Sequence, residues 1–234
     1  MTGTLYGVGV GPGDPDLMTL KAVKILESVP VVAYIVAASA KKSLARSIAE
    51  DAIGPDKVEI EIPMAMLGDA GPGAEIYDQY AATIAGHLDA GRHVAMLCEG
   101  DPLLYGSFMY MLERLNTNYD VVTVPGVSSL GAAAAAAGMA LVSRRQTLTI
   151  VPATLDDDDL QRRLTDGGGM AIFKVGRHLQ KIRRLVENAG RAAGAVFVER
   201  ASMPGGRVVP LSEVSEGGEY FSMILVPAVG GEHQ

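Results

Sequence analysis

Apolar and polar positions divide the chain into two halves of different rhythm. In the first, short apolar runs alternate with helical stripes. Leu5 to Val10 is apolar with Gly7 and Gly9 interleaved; Leu17, Leu20, Val23, Leu26 and Val29 then recur at helical spacing, with Lys21, Lys24 and Glu27 turned away. Val31 to Val36 fits a buried parallel strand. Leu44, Ile48 and Ala52 mark a helix stopped by Gly54-Pro55, and Val58 to Ile62 alternates with glutamates as a half-exposed strand would. Ile76, Tyr80, Ile84 and Leu88 form the next stripe, then come a strand from His93 to Cys98 and a helix from Leu103 to Leu115. A strand from Val121 to Val124 and an alanine-rich helix through Ala137 complete the series. Alternation of this kind predicts an α/β domain built on a parallel sheet, residues 1–140.

The second half, residues 141–234, loses that alternation. Thr147 to Val151, Met170 to Phe173, Ala195 to Val198, Arg207 to Pro210 and Tyr220 to Pro227 read as five strands. Helices end at Leu164 and run along Leu179, Ile182, Leu185 and Ala189, so an α+β domain with a mixed sheet is expected. Asp156 to Asp159 read as the solvated amino end of a helix, where negative charge is favoured, rather than as a metal site. The segment from Met64 to Gly73 has no periodicity and reads as a loop, a candidate cleft cover.

Three strand-to-helix junctions carry glycine followed by a polar first turn. They are Gly11-Pro12-Gly13-Asp14, Glu99-Gly100-Asp101-Pro102 leading to Tyr105-Gly106-Ser107, and Gly126-Val127-Ser128-Ser129. Asp14 and Asp101 are placed to cap the helices that follow, and Pro15 suits a first helical position. In a parallel sheet all three junctions fall at the carboxyl edge, where unpaired backbone amides and ligand crevices belong. Gly9-x-Gly11-x-Gly13 departs from a dinucleotide fingerprint, and no acidic residue ends a second strand near Tyr34 to hold a ribose, which argues against NAD or FAD.

Composition narrows the chemistry. Net charge is −7 and aromatics are 5% with no Trp, against a nucleic-acid or anionic-membrane partner. A single cysteine, Cys98, excludes an internal disulfide and reads as a buried thiol. No secretory leader or membrane-length apolar run is evident, so a soluble, cytoplasmic protein is expected. His87 and His93 lack partners at metal spacing. P-loop, G-x-S-x-G and H-E-x-x-H patterns are missing, which leaves a reaction driven by an activated co-substrate and by positioning. A nucleotide-binding regulatory protein is the non-enzymatic alternative.

The segments GVGVGPGDPDLMTLKA, CEGDPLLYGSFMYMLERL, VPGVSSLGAAAAAAG, VERAS and YFSMILV resemble the tetrapyrrole methyltransferases of cobalamin biosynthesis. The E-G-D-P-L-L-Y-G-S form and the late YFS are most similar to members acting on C20 of precorrin-2. The resemblance implies two α/β domains with the active cleft between them, a homodimer, S-adenosyl-L-methionine as co-substrate, no protein-bound metal, and methylation of precorrin-2 to precorrin-3A. A cobalt-factor II C20 enzyme, or another tetrapyrrole C-methyltransferase of the pathway, is the alternative. Carried over residue by residue, it implies donor contacts at Gly100, Asp101, Pro102, Tyr105, Gly106, Ser107, Ser128, Ser129, Lys174 and Ala201. Gly11, Pro12 and Gly13 are implied beside the transferring methyl, with Glu99, Asp14, Tyr105 or water open as the proton acceptor. The substrate's carboxylates call for a basic rim, for which Arg144, Arg145, Lys174 and Arg177, and further Arg200 and Arg207, are candidates.

Overall fold

A computed structural model describes residues 1–38, 40, 42–64, 73–215 and 218–230. The loop expected between Met64 and Gly73 falls, at 65–72, outside the described residues. The chain divides into two compact units, Met1–Ser129 and Leu130–Gln234.

The first unit is a five-stranded sheet, β1 (Thr4–Gly9), β2 (Val31–Ala37), β3 (Val58–Met64), β4 (Val94–Cys98) and β5 (Asp120–Val124), in the order β3-β2-β4-β1-β5. Every pairing is parallel, with Gly9 opposite Cys98 and Val8 opposite Val124. Helices α1 (Leu20–Ser28) and α2 (Leu44–Ile48) pack Ala22, Leu26, Ala45 and Ile48 on one face against Val8, Val32 and Leu97. Helices α3 (Ala74–Asp89) and α4 (Phe108–Leu115) cover the other with Tyr77, Ile84, Leu88, Phe108 and Met111. β1 sends its connection towards β2 and β4 sends its own across to β5. The two central neighbours therefore form the topological switch, whose carboxyl end is where open α/β sheets bind ligands.

Two helix starts differ from the sequence reading. The chain after Asp14 makes only a 3-10 turn, Pro15–Leu17, and α1 begins after Thr19, whose hydroxyl accepts the Ala22 amide at 3.1 Å. Leu20 then lies 78% exposed, off the buried stripe it was counted in. Likewise Leu103 to Ser107 is a turn and α4 starts at Phe108, because Tyr105 takes φ +57°, which no right-handed helix can pass through.

The second unit holds β6 (Leu148–Pro152), β7 (Gly169–Phe173), β8 (Val196–Glu199), β9 (Arg207–Pro210) and β10 (Ser222–Val226), ordered β6-β7-β10-β8-β9. β6 and β7 are parallel and the other pairings antiparallel, giving the mixed sheet. Helices α6 (Asp157–Thr165) and α7 (Leu179–Asn188) bury Leu160, Leu164, Ile182 and Leu185 on one face. The alanine-rich α5 (Ser129–Ala136) lays Ala133 on the other, against Ala171, Phe173 and Val198, which ties that helix to the second unit. Asp156 to Asp159 do form the amino end of α6.

Candidate functional site

The three glycine-marked turns meet at the carboxyl ends of β1, β4 and β5. Gly11 and Gly100 form an isolated bridge, the Gly100 amide donating to the Gly11 carbonyl at 2.7 Å. A Cβ on Gly9 would stand 2.6 Å from Gly126 Cα, and one on Gly126 would stand 2.0 Å from the Gly100 carbonyl oxygen. Three backbones thus touch where any side chain would separate them. Gly7 serves the same sheet differently, by leaving room for the Phe108 ring.

Asp101 fastens the arrangement. Its Oδ1 accepts the Leu103 amide at 2.9 Å and its Oδ2 accepts the Gly126 amide at 3.1 Å. The aspartate therefore joins the second turn to the third instead of capping α4, which starts at Phe108, seven residues further along. The amides of Gly100, Leu103 and Gly126 are spent on holding the turns together. What faces outward beside Gly100, at φ +66°, is space bounded by the Ser129 amide nitrogen at 3.7 Å and the Val127 carbonyl at 3.9 Å from where a Cβ would be. A main-chain wall of that kind suits a polar ligand held without side chains.

Around this knot lie the remaining candidates of the first unit. Pro12 is buried and Gly13 partly so, while Asp14 accepts the Asp16 amide at 3.0 Å and caps the short 3-10 turn. Gly106 sits where a Cβ would strike the Pro102 carbonyl at 2.4 Å. Ser107 precedes α4 and Ser129 opens α5. Tyr105, 39% exposed, holds left-handed backbone that only over-determined surroundings sustain, a conformation that concentrates at functional sites.

Glu99, half-buried at the end of β4, accepts the Ala45 amide at 3.2 Å and so ties the junction to α2. Burial lifts its carboxyl above the usual range, an effect only partly offset by that hydrogen bond and one from its own backbone. The folded state therefore holds this proton more tightly than the unfolded chain, and its contribution to stability falls as pH rises through the elevated value. Glu99→Gln keeps an acceptor for Ala45 and removes the titration. The variant is expected to gain in melting temperature relative to wild type as pH climbs from about 4 to about 8; a pH-independent difference would overturn this account. Cys98 is buried and burial pushes its thiol upward, so it stays neutral.

The second-unit candidates occupy two places. Arg144 and Arg145 are exposed in the turn closed by the Gln146 amide on the Ser143 carbonyl. Lys174, Arg177, Arg200 and Ala201 follow β7 and β8 at one edge of the second sheet, where Lys174, Arg200 and Ser202 all take positive φ. Arg200 pairs with Glu219 at 3.4 Å, and Arg207 with Glu199 at 2.8 Å. Sequence reasoning passed over Glu199, a carboxylate 8% exposed that also accepts the Glu219 amide at 2.6 Å. Its only sequence signal is a glutamate closing an apolar strand. Among the described residues no group of three or more His, Cys, Asp or Glu is placed to hold a metal ion, and no helix is long and apolar enough to cross a membrane.

Comparison with known proteins adds an independent line. The pattern of the tetrapyrrole (corrin/porphyrin) methylases matches residues 4–215. The cobalamin biosynthesis protein CobIJ of Mycobacterium tuberculosis is 41% identical over 234 residues, 96% of this chain but 46% of that protein, so the chain spans about half the length of this relative. A precorrin-2 C(20)-methyltransferase of Sinorhizobium sp is 40% identical, with 96% of this chain and 95% of the other covered. A cobalt-precorrin-2 C(20)-methyltransferase of Salmonella typhimurium is 30% identical, with 97% of each covered. Among solved structures, cobalt precorrin-4 methyltransferase CbiF superposes with a TM-score of 0.78 at 26% identity over 96% of this chain and 94% of that one. Uroporphyrin-III C-methyltransferase of Thermus thermophilus, complexed with S-adenyl homocysteine, gives 0.68 at 26% identity over 96% and 92%.

Proposed function

The chain belongs to the tetrapyrrole (corrin/porphyrin) methylases, and from that membership we propose that it transfers a methyl group from S-adenosyl-L-methionine to C20 of precorrin-2, giving precorrin-3A in cobalamin biosynthesis. The observation that carries this reading is the convergence of the turns at Gly11, Gly100 and Gly126 on the switch between β1 and β4. The higher identity to the relative named for precorrin-2 than to the one named for cobalt-precorrin-2 supports the metal-free ring.

The main-chain wall beside Gly100 fits such a donor, which offers carboxylate, amine and ribose hydroxyls to backbone groups. Bound there, S-adenosylmethionine supplies a methyl already activated as a sulfonium. Gly100 to Ser107, with Ser128 and Ser129, would hold it, and the Asp101 staple would keep those turns from shifting. Orientation in a preformed site is a large share of what an in-line methyl transfer needs. Pro12 and Gly13 would line the approach to the methyl. As the new carbon–carbon bond forms at C20 the methyl–sulfur bond breaks, S-adenosylhomocysteine leaves and the ring carries a surplus proton at C20; the carboxylate form of Glu99, made more basic by burial at the end of β4, is the acceptor we assign to it. A homodimer and a cytoplasmic location accompany the proposal as expectations from the family.

Precorrin-2 and its cobalt-containing counterpart, offered separately with methyl-labelled donor, test the assignment. Label is expected at C20 of precorrin-2 by NMR. Label at another carbon, or only in the cobalt ring, would overturn the proposed step.

A further inference from the structure

Tyr220 and Phe221 stand side by side in solvent just before β10. They are 53% and 40% exposed, and their rings meet edge to face with centroids 5.2 Å apart. β10 itself is buried from end to end, so the pair is not the fringe of a solvated strand. Adjacent exposed aromatics on a chain with 5% aromatics call for an occupant.

The backbone beneath them is pinned on both sides. The Phe221 carbonyl accepts the Arg200 amide at 2.8 Å, and the Ser222 carbonyl accepts the Val175 amide at 3.4 Å. The Ser222 hydroxyl, 6% exposed, donates to the Glu219 carbonyl at 2.6 Å and accepts the Gly176 amide at 3.0 Å. Glu199 holds the Glu219 amide from beneath. The flanking turns carry Lys174, Arg177 and Arg200, and Glu219 lies 3.4 Å from Arg200. The side chain of Arg200 is 40% exposed and its ion pair with Glu219 is a long one, at 3.4 Å. An aromatic pair on a pinned backbone, with turns that carry three cations hydrogen-bonded next to it, on a chain of net charge −7, is suited to a planar conjugated anion.

Resting on the reading of a tetrapyrrole substrate, we propose that the Tyr220–Phe221 pair forms an aromatic platform for the conjugated ring of that polycarboxylate, one ring meeting it face-on and the other, nearly perpendicular, by its edge. The platform is a specificity element, distinct from the turns that hold the methyl donor. Its preorganisation by Ser222 and Glu199 keeps the rings in place before the ligand arrives, so little ordering entropy is lost on binding.

The test uses sirohydrochlorin, a stable carboxylated ring of this class, followed by its own fluorescence anisotropy. Tyr220→Leu combined with Phe221→Leu is expected to weaken ring binding by about 10-fold or more, the scale of lost aromatic stacking. S-adenosylhomocysteine affinity by calorimetry and sedimentation behaviour should match wild type, and Tyr220→Phe should bind the ring as wild type does. A double variant that binds the ring unchanged overturns the platform alone. A change in oligomeric size with ring affinity intact would make the pair a subunit contact and overturn it as well. Should the wild-type protein bind S-adenosylhomocysteine but no ring, the tetrapyrrole reading fails, and the platform with it.

Discussion

Gly126→Ala is expected to destabilise the first unit by about 3 kcal/mol and to abolish donor binding. The new methyl would lie 2.0 Å from the Gly100 carbonyl oxygen, 2.8 Å from Gly9 Cα and 3.0 Å from the Gly100 carbonyl carbon. All three obstacles are backbone, so no rotamer change relieves them and the junctions after β1, β4 and β5 must part. Thermal unfolding should fall on the order of 10 °C, and calorimetry with S-adenosylhomocysteine should show no heat of binding. Gly131→Ala is the control: nothing lies within 4 Å of its added Cβ, and it sits inside helix α5. That change is expected to stabilise by roughly 0.5–1 kcal/mol. Gly100→Ala should fall between, about 1 kcal/mol, because its Cβ meets only ordinary contacts while φ +66° remains unfavourable. Wild-type donor affinity in Gly126→Ala would end the placement of the donor at this edge.

Asp101→Ala is expected to lower kcat/KM by about 100-fold, the cost of a site displaced by roughly an ångström. The substitution frees the Leu103 and Gly126 amides together and so unties the second turn from the third. Asn at this position keeps one carbonyl oxygen but presents an NH2 to the other amide, so Asp101→Asn should recover only part of the loss. Donor dissociation constants measured beside kcat/KM separate the cases. A displaced donor site weakens both, whereas loss of a chemical group alone would leave donor affinity intact. Full activity in Asp101→Ala would refute the staple.

The candidate site was legible where chemistry leaves a mark on residue type. Glycine followed by a polar first turn after an apolar run is a local signature, and it marks all three turns in the sequence, two of them with Asp-Pro. The same signature misjudged what the aspartate does. Asp101 looks like a helix cap because sequence shows its near neighbours, while its second oxygen serves Gly126, twenty-five residues further along. The start of α4 was misplaced for a related reason. Tyr105 is an ordinary helix-compatible residue in sequence, and its left-handed backbone has no sign there. Lys174 and Arg200 conceal theirs in the same way.

By itself, the sequence determined the alternation of strands and helices, the parallel character of the first sheet, the mixed second one and the glycine-rich turns. These follow from the period of apolar residues and from local backbone preferences. Only the tertiary structure decided which glycine answers to which constraint. Gly9 and Gly126 are required because backbones from separate strands meet at their Cα atoms, Gly100 because of its own φ, and Gly131 by neither. It also decided that Glu99 reaches Ala45 and that Glu199 and Ser222 brace an aromatic shelf. Contacts between residues far apart in the chain depend on how strands order within a sheet, and that order, β3-β2-β4-β1-β5, is a property of packing that no local window contains.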